Sequence, residues 1–129
     1  MAISDITGKD DLFILVNTFY KKVNSEALLA PFFAHVNWDK HLPLMVDFWD
    51  NVLFYKGNYS GNPMALHQAA HQLNPMESRH FDKWLELFQA TTDQLFIGKN
   101  ASTLKERAAS IALIMQIKIL GLNPVSGNK

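Results

Sequence analysis

The 129-residue chain contains no cysteine. Disulfides, thiol catalysis, iron–sulfur clusters and covalent cofactor attachment through a C-x-x-C-H motif are therefore excluded. Neither sign of charge is in excess, because twelve Lys and Arg balance twelve Asp and Glu. With no basic excess, there is no electrostatic footprint for nucleic acid or for an anionic membrane surface. The opening MAISDITGKDD lacks the basic region and apolar stretch of a secretory signal. The most apolar run, 111–120, holds Gln116 and Lys118 and is too short to span a bilayer. These absences lead us to expect a cytoplasmic protein with no nucleic-acid and no membrane partner. Neutral charge and the lack of an evident exposed apolar stripe favour a monomer.

Period-two alternation is almost missing as well, which leaves helices. Acids at Asp10 and Asp11 suit a helix start, and Leu12, Leu15, Val16, Phe19, Tyr20 and Val23 then share one face. Ser25 is expected to cap a short piece, EALLAPFFAHV, that Pro31 interrupts. Asn37 or Asp39 is expected to open a third helix, with Pro43 tolerable only in or near its first turn. On that helix His41, Met45, Phe48, Trp49 and Val52 form one stripe. KGNYSGN reads as a loop, after which Asn62 caps and Pro63 starts a short helix, PMALHQAAHQL. Ser78 is expected to cap the next helix, with Gly98 closing it, and Ser102 to cap the last. The expectation is an all-α fold in one domain over residues 1–129, with a core from about 10 to 121 and a frayed tail at 122–129.

The composition is unusual for a plain helical bundle. Aromatic residues make up 12% of the chain, with nine Phe and three Trp, and Pro31, Pro43, Pro63 and Pro75 break its middle into short pieces. Short helices are marginal on their own propensity, so tertiary contact must hold them. A flat apolar cofactor would provide such contact, at about 25 cal/mol per Å² of apolar surface buried. Haem fits that description and needs one strong axial ligand, for which neutral imidazole is the commonest choice. An ordinary aromatic core remains the alternative.

Five histidines are available, His35, His41, His67, His71 and His80. His67 and His71 are spaced to share one helix face. They suit a zinc pair, a single axial ligand with an incidental neighbour, or two surface residues. Gln68 follows His67, so the general base of an H-E-x-x-H site is missing and no third zinc ligand is evident. Glu77 and His80 reproduce the E-x-x-H spacing of di-iron carboxylate bundles, but no second copy exists. His80 and His35 are taken as surface or edge residues. His41 heads the aromatic stripe, either as a pocket polar group or as a helix-start residue.

Five pieces in order, FYKKV at 19–23, LAPFF at 29–33, WDKHLPLMVDFW at 38–49, YSGNPMALH at 59–67 and HFDKWLELF at 80–88, resemble the third group of the truncated haemoglobins. The resemblance covers about 11–120. It implies a globin-like 2-over-2 helical sandwich around a non-covalent haem b. It implies that His67 is the proximal ligand of the haem iron, His41 the distal histidine and Tyr20 the tyrosine whose hydroxyl reaches the bound ligand. Phe33 would pack on the porphyrin and Trp84 would stand on its distal side, with Met45 and Phe48 continuing the distal wall. The Gly-Gly pairs of other truncated groups are missing, which fits the third group. No role carries over to His71.

Such a protein would bind dioxygen and other small ligands such as NO, CO and peroxide. Donors from Tyr20, Trp84 and His41 around one diatomic imply slow release, suited to detoxifying redox chemistry or sensing rather than transport. Nitric oxide dioxygenation, with a reductase as partner, and peroxidase-like activity are both compatible with that pocket. Arg79 and Lys83 are the expected cations for the haem propionates. A cofactor-free helical interaction module and a zinc enzyme using His67 and His71 are the competing readings.

Overall fold

The computed structural model describes residues 3–34, 36–55 and 76–120. Four α-helices account for most of them: α1 (Lys9–Ser25), α2 (Trp38–Phe54), α3 (Ser78–Leu95) and α4 (Lys99–Leu120). A 3-10 turn, Ala30–Phe33, lies between α1 and α2. No strand is found among the described residues. Helix α1 packs on α2, and α3 on α4. The two pairs are joined by α1 against α3 and α2 against α4, giving a two-over-two arrangement.

The apolar face foreseen for α1 is its buried face in full, from Leu12 to Val23. Asp10 and Asp11 stand in its first turn, where the positive end of the helix dipole favours carboxylates. Asp11 also accepts hydrogen bonds from the backbone N–H and hydroxyl of Thr7, at 2.9 and 3.0 Å. Ser25 does not cap a following helix. It ends α1, and its hydroxyl donates to the Lys21 carbonyl at 3.1 Å. Pro31 falls in the first positions of the 3-10 turn, where a missing N–H costs nothing.

Asn37 is the residue before α2, as expected, although its side chain makes no capping bond. Pro43 lies past the first turn and inside the helix. It leaves the Asp39 carbonyl without its i+4 donor, and both residues are exposed, so water can satisfy that carbonyl. Met45 and Trp49 of the predicted stripe are buried, with Phe48 and Val52 half-buried.

The C-terminal helices begin differently from the sequence expectation. Glu77, not Ser78, caps α3 in a reciprocal capping box with His80, whose Nδ1 accepts the Glu77 backbone N–H at 2.8 Å. Ser78 is the first helical residue, and its hydroxyl donates to Gln116 Oε1 on α4 at 3.0 Å. Helix α3 ends at Leu95, with Phe96 as its C-cap, rather than at Gly98. Gly98 instead opens α4, its carbonyl accepting the Ser102 N–H at 3.0 Å, so Ser102 lies inside the first turn.

The cap of α4 comes from the far end of the chain. The Asp5 carboxylate accepts the backbone N–H groups of Asn100 and Ala101, both at 2.9 Å. The Asn100 amide donates in return to the Ile6 carbonyl at 2.7 Å. Gly98 makes this contact feasible. Its φ is +145°, and a Cβ there would meet Asp5 Cγ at 2.5 Å.

The predicted helix around 62–73, the preceding loop and the frayed tail lie outside the described residues, as do His35, His67 and His71.

Candidate functional site

Among the described residues, buried apolar side chains group into two clusters, with Ile111 packed against both. The larger runs through α1, α2, α3 and the start of α4 and includes Phe19, Tyr20, Leu29, Met45, Trp49 and Phe88. The smaller joins Met76, Phe81 and Met115, with Phe32 against them. A partly open cavity is lined by members of both. Tyr20 of α1, Leu29, Phe32 and Phe33 of the short turn, and Met45, Phe48 and Trp49 of α2 make one part of its wall. Met76, His80, Phe81 and Trp84 at α3, and Ile111, Ala112 and Met115 of α4, make the rest. Among these described residues only Tyr20, His80, Trp49 and Trp84 carry N–H or O–H donors in their side chains.

Tyr20 is buried at the centre of an aromatic group. Its ring centroid lies 5.8 Å from Phe33, 4.9 Å from Trp38 and 5.6 Å from His41. Trp38 stacks on Phe33 at 6.1 Å and meets His41 edge-on at 5.3 Å. Trp84 is held by Phe19, edge-on at 5.6 Å, and by Phe88, stacked at 5.4 Å. Phe88 in turn stacks on Trp49 at 4.8 Å. Fixed neighbours on this scale limit the freedom of both donors, since aromatic pairs at 4.5–7 Å add roughly 0.5–1.5 kcal/mol beyond burial.

Of the residues expected at the site, Tyr20, Phe33, Met45, Phe48 and Trp84 do line one cavity. His41 is half-buried against Tyr20 and Trp38 and adjoins the cavity through Tyr20. Arg79 is exposed, and its Nε pairs with Glu77 at 2.9 Å. Lys83 pairs with Glu86 at 3.0 Å, and that carboxylate's hydrogen bond raises the ammonium pKa. His67, the expected iron ligand, and His71 lie outside the described residues.

Two residues add to the expected set. Trp38, given no role, joins Tyr20, Phe33 and His41. Its signal was the apolar ring three residues before His41, on the same side of α2. His80, taken as a surface or edge residue, is buried and lines the cavity. Burial, reinforced by the nearby Arg79 charge, pushes its imidazole below the usual pKa, against the opposing effect of Glu77. Its i, i+4 spacing to Trp84 places it on the cavity face of α3 and was available in the sequence. The E-x-x-H spacing of Glu77 and His80 is thus a capping box rather than a metal motif or an accident.

The residues present fit a tetrapyrrole. Aromatic and thioether side chains from both apolar clusters offer a broad apolar wall, in which Tyr20 and Trp84 are hydrogen-bond donors. Comparison with known proteins points the same way. The sequence model of the family described as "Bacterial-like globin" matches residues 3–117. The chain belongs to that family.

This globin is 28% identical to the group 3 truncated hemoglobin ctb of Campylobacter jejuni subsp. jejuni, over 81% of this chain and 85% of the relative. It is likewise 28% identical to a group 1 truncated hemoglobin of Tetrahymena pyriformis, over 81% of this chain and 82% of the relative. The crystal structure of a group III truncated hemoglobin from Campylobacter jejuni superposes with a TM-score of 0.80, covering 98% of this chain and 100% of that one at 24% identity. The expected resemblance and fold class therefore hold: an all-α truncated globin fold. Membership of the globins brings haem-based binding of small ligands such as dioxygen. It sets aside the cofactor-free interaction module. No helix among the described residues is long and apolar enough to cross a membrane.

Proposed function

We propose that this globin holds haem b non-covalently, with His67 on the iron, and binds dioxygen tightly with Tyr20 and Trp84 as hydrogen-bond donors. The observation that supports this reading is the cavity, whose largely apolar wall includes Tyr20 and Trp84, each packed against aromatic neighbours. The chain has no cysteine, so no thioether can tether the group. Haem supplies an iron with one position open to a diatomic ligand when a single imidazole binds it.

The chain's own residues set what happens at that position. A diatomic that gathers partial negative charge is stabilised by O–H and N–H donors, more strongly where water is excluded. Tyr20 and Trp84 are such donors, and His41 supports the Tyr20 ring and supplies a third where its own N–H reaches the pocket. Tight binding suits detoxifying redox chemistry or sensing better than transport. Nitric oxide dioxygenation, with a reductase restoring ferrous iron, and peroxide reduction with His41 as acid–base group are the chemistries this pocket suits. Phe33, Met45 and Phe48 are the proposed porphyrin contacts. Arg79 and Lys83 are the proposed partners of the haem carboxylates. Each is already shared with a neighbouring acid at the surface, so each contributes little. A cytoplasmic monomer completes the proposal.

Stopped-flow dioxygen dissociation tests it. The wild type is expected to release dioxygen slowly, and Tyr20→Phe and Trp84→Phe each to speed release by up to about tenfold, as one lost hydrogen bond implies. A fast wild-type rate that neither variant changes contradicts the donor arrangement.

A further inference from the structure

His80 has a task that helix capping does not exhaust. It is buried to nine-tenths and lines the cavity. Its Nδ1 accepts the Glu77 backbone N–H at 2.8 Å, which requires an unprotonated Nδ1. The neutral ring therefore carries its proton on Nε2. This tautomer cannot coordinate a metal through Nε2, so it makes His80 a donor and not a rival to His67.

No hydrogen bond from Nε2 to any described residue is present. Phe32 meets the ring edge-on at 4.8 Å, and the adjoining wall is Met76, Phe81 and Met115, which offer at best weak thioether acceptors. Buried polar groups in native proteins overwhelmingly find partners, because leaving one unmade costs roughly 1–3 kcal/mol. The low pKa of this imidazole, caused first by burial, keeps it neutral and hence in the donor form at pH 7.

We propose that His80 is a haem-pocket binding residue: its Nε2–H donates a hydrogen bond to an acceptor oxygen carried by the cavity's occupant. This rests on the haem reading above. Two sources of such an oxygen exist in that occupant, a porphyrin carboxylate and the diatomic ligand. His80 lies one helical turn before Trp84 on the same face of α3, so a ligand-directed role would extend the donor set of Tyr20 and Trp84.

Two porphyrins and two variants separate the cases. His80→Gln keeps an acceptor for the Glu77 N–H, as in ordinary capping boxes, and also a donor. His80→Leu removes both. Apoprotein is titrated with metal-free protoporphyrin IX and with its dimethyl ester, following fluorescence, and the ester serves as the check that the pocket is folded. If the acceptor is a carboxylate, His80→Leu weakens protoporphyrin IX about tenfold, the ester is little affected, and His80→Gln restores most of the loss. If the acceptor is the ligand, porphyrin affinities hold while dioxygen dissociation from the haem-loaded protein rises in His80→Leu and not in His80→Gln. Equal losses for both porphyrins, or no change in either affinity or dissociation, would overturn the assignment. Failure of the wild type to bind either porphyrin would overturn the haem reading itself.

Discussion

At the scale of single residues, the pocket's behaviour rests on side chains whose neighbours fix them. Tyr20 is wedged among Phe33, Trp38 and His41, and Trp84 between Phe19 and Phe88. Changing Trp38 to Leu removes a ring that touches Tyr20, Phe33 and His41 without itself lining the cavity. We expect it to speed dioxygen release, less than Tyr20→Phe does, while the haem still binds. His80 adds a pH dependence. Its pKa is lowered on folding, so the unfolded chain takes up the proton first as pH falls. Its contribution to stability is complete above the ordinary value of 6.5 and is lost as pH falls below it. Urea unfolding at pH 7 and pH 5 should therefore show a loss in the wild type that His80→Gln reduces. The residue scale is also where sequence reading worked unevenly. Tyr20, Phe33 and Trp84 were reached through the family resemblance of the pieces that hold them, and all three line the cavity. For His80 the i, i+4 spacing to Trp84 marks the helix face, but its burial depends on Phe32 and on α4, both distant in sequence.

Helix faces were legible at the scale of elements, while their ends were not. The α1 face follows from apolar spacing alone, a property of one segment. The start of α4 depends on Asp5, some ninety residues away, so no local signal could show it, and Ser102 offered a false one. Gly98 reads as a helix stop for the same reason, although it serves as a close-approach residue for that carboxylate. Burial tends to raise the Asp5 pKa, but the N–H groups of Asn100, Ala101 and Ile6 outweigh it and hold it below the usual 3.8. This stabilisation is present above the unfolded value and disappears as pH falls through and below it. Asp5→Ala should cost about 1 kcal/mol in denaturant unfolding near neutral pH, as lost caps do. The gap to the wild type should narrow in acid. Gly98→Ala should cost about 1–3 kcal/mol, because its backbone conformation is strained for any other residue and the new Cβ would strike Asp5.

For the molecule as a whole, the four helices of the described residues bury two apolar clusters, with the cavity lined by both. A broad apolar group seated there would join the two clusters, and this explains an aromatic content that a plain bundle of this length would not need. Phe88 shows how the cavity depends on the larger cluster, since it is fully buried and contacts Phe19, Trp49 and Trp84. Phe88→Ala should destabilise the protein by about 3–5 kcal/mol, the range for a buried Phe, measured by chemical unfolding. Because a ligand that binds only the folded state stabilises it, haem loading should raise the melting temperature and offset part of that loss. The proposed bond from His67 to a haem iron carries the functional reading. The visible spectrum of haem-reconstituted protein, wild type and His67→Gly, with and without added imidazole, tests that bond. A Soret band characteristic of a single histidine ligand is expected in the wild type, lost in the variant and regained with imidazole. An unchanged spectrum in His67→Gly, or the same loss and rescue produced by His71→Gly instead, would contradict it.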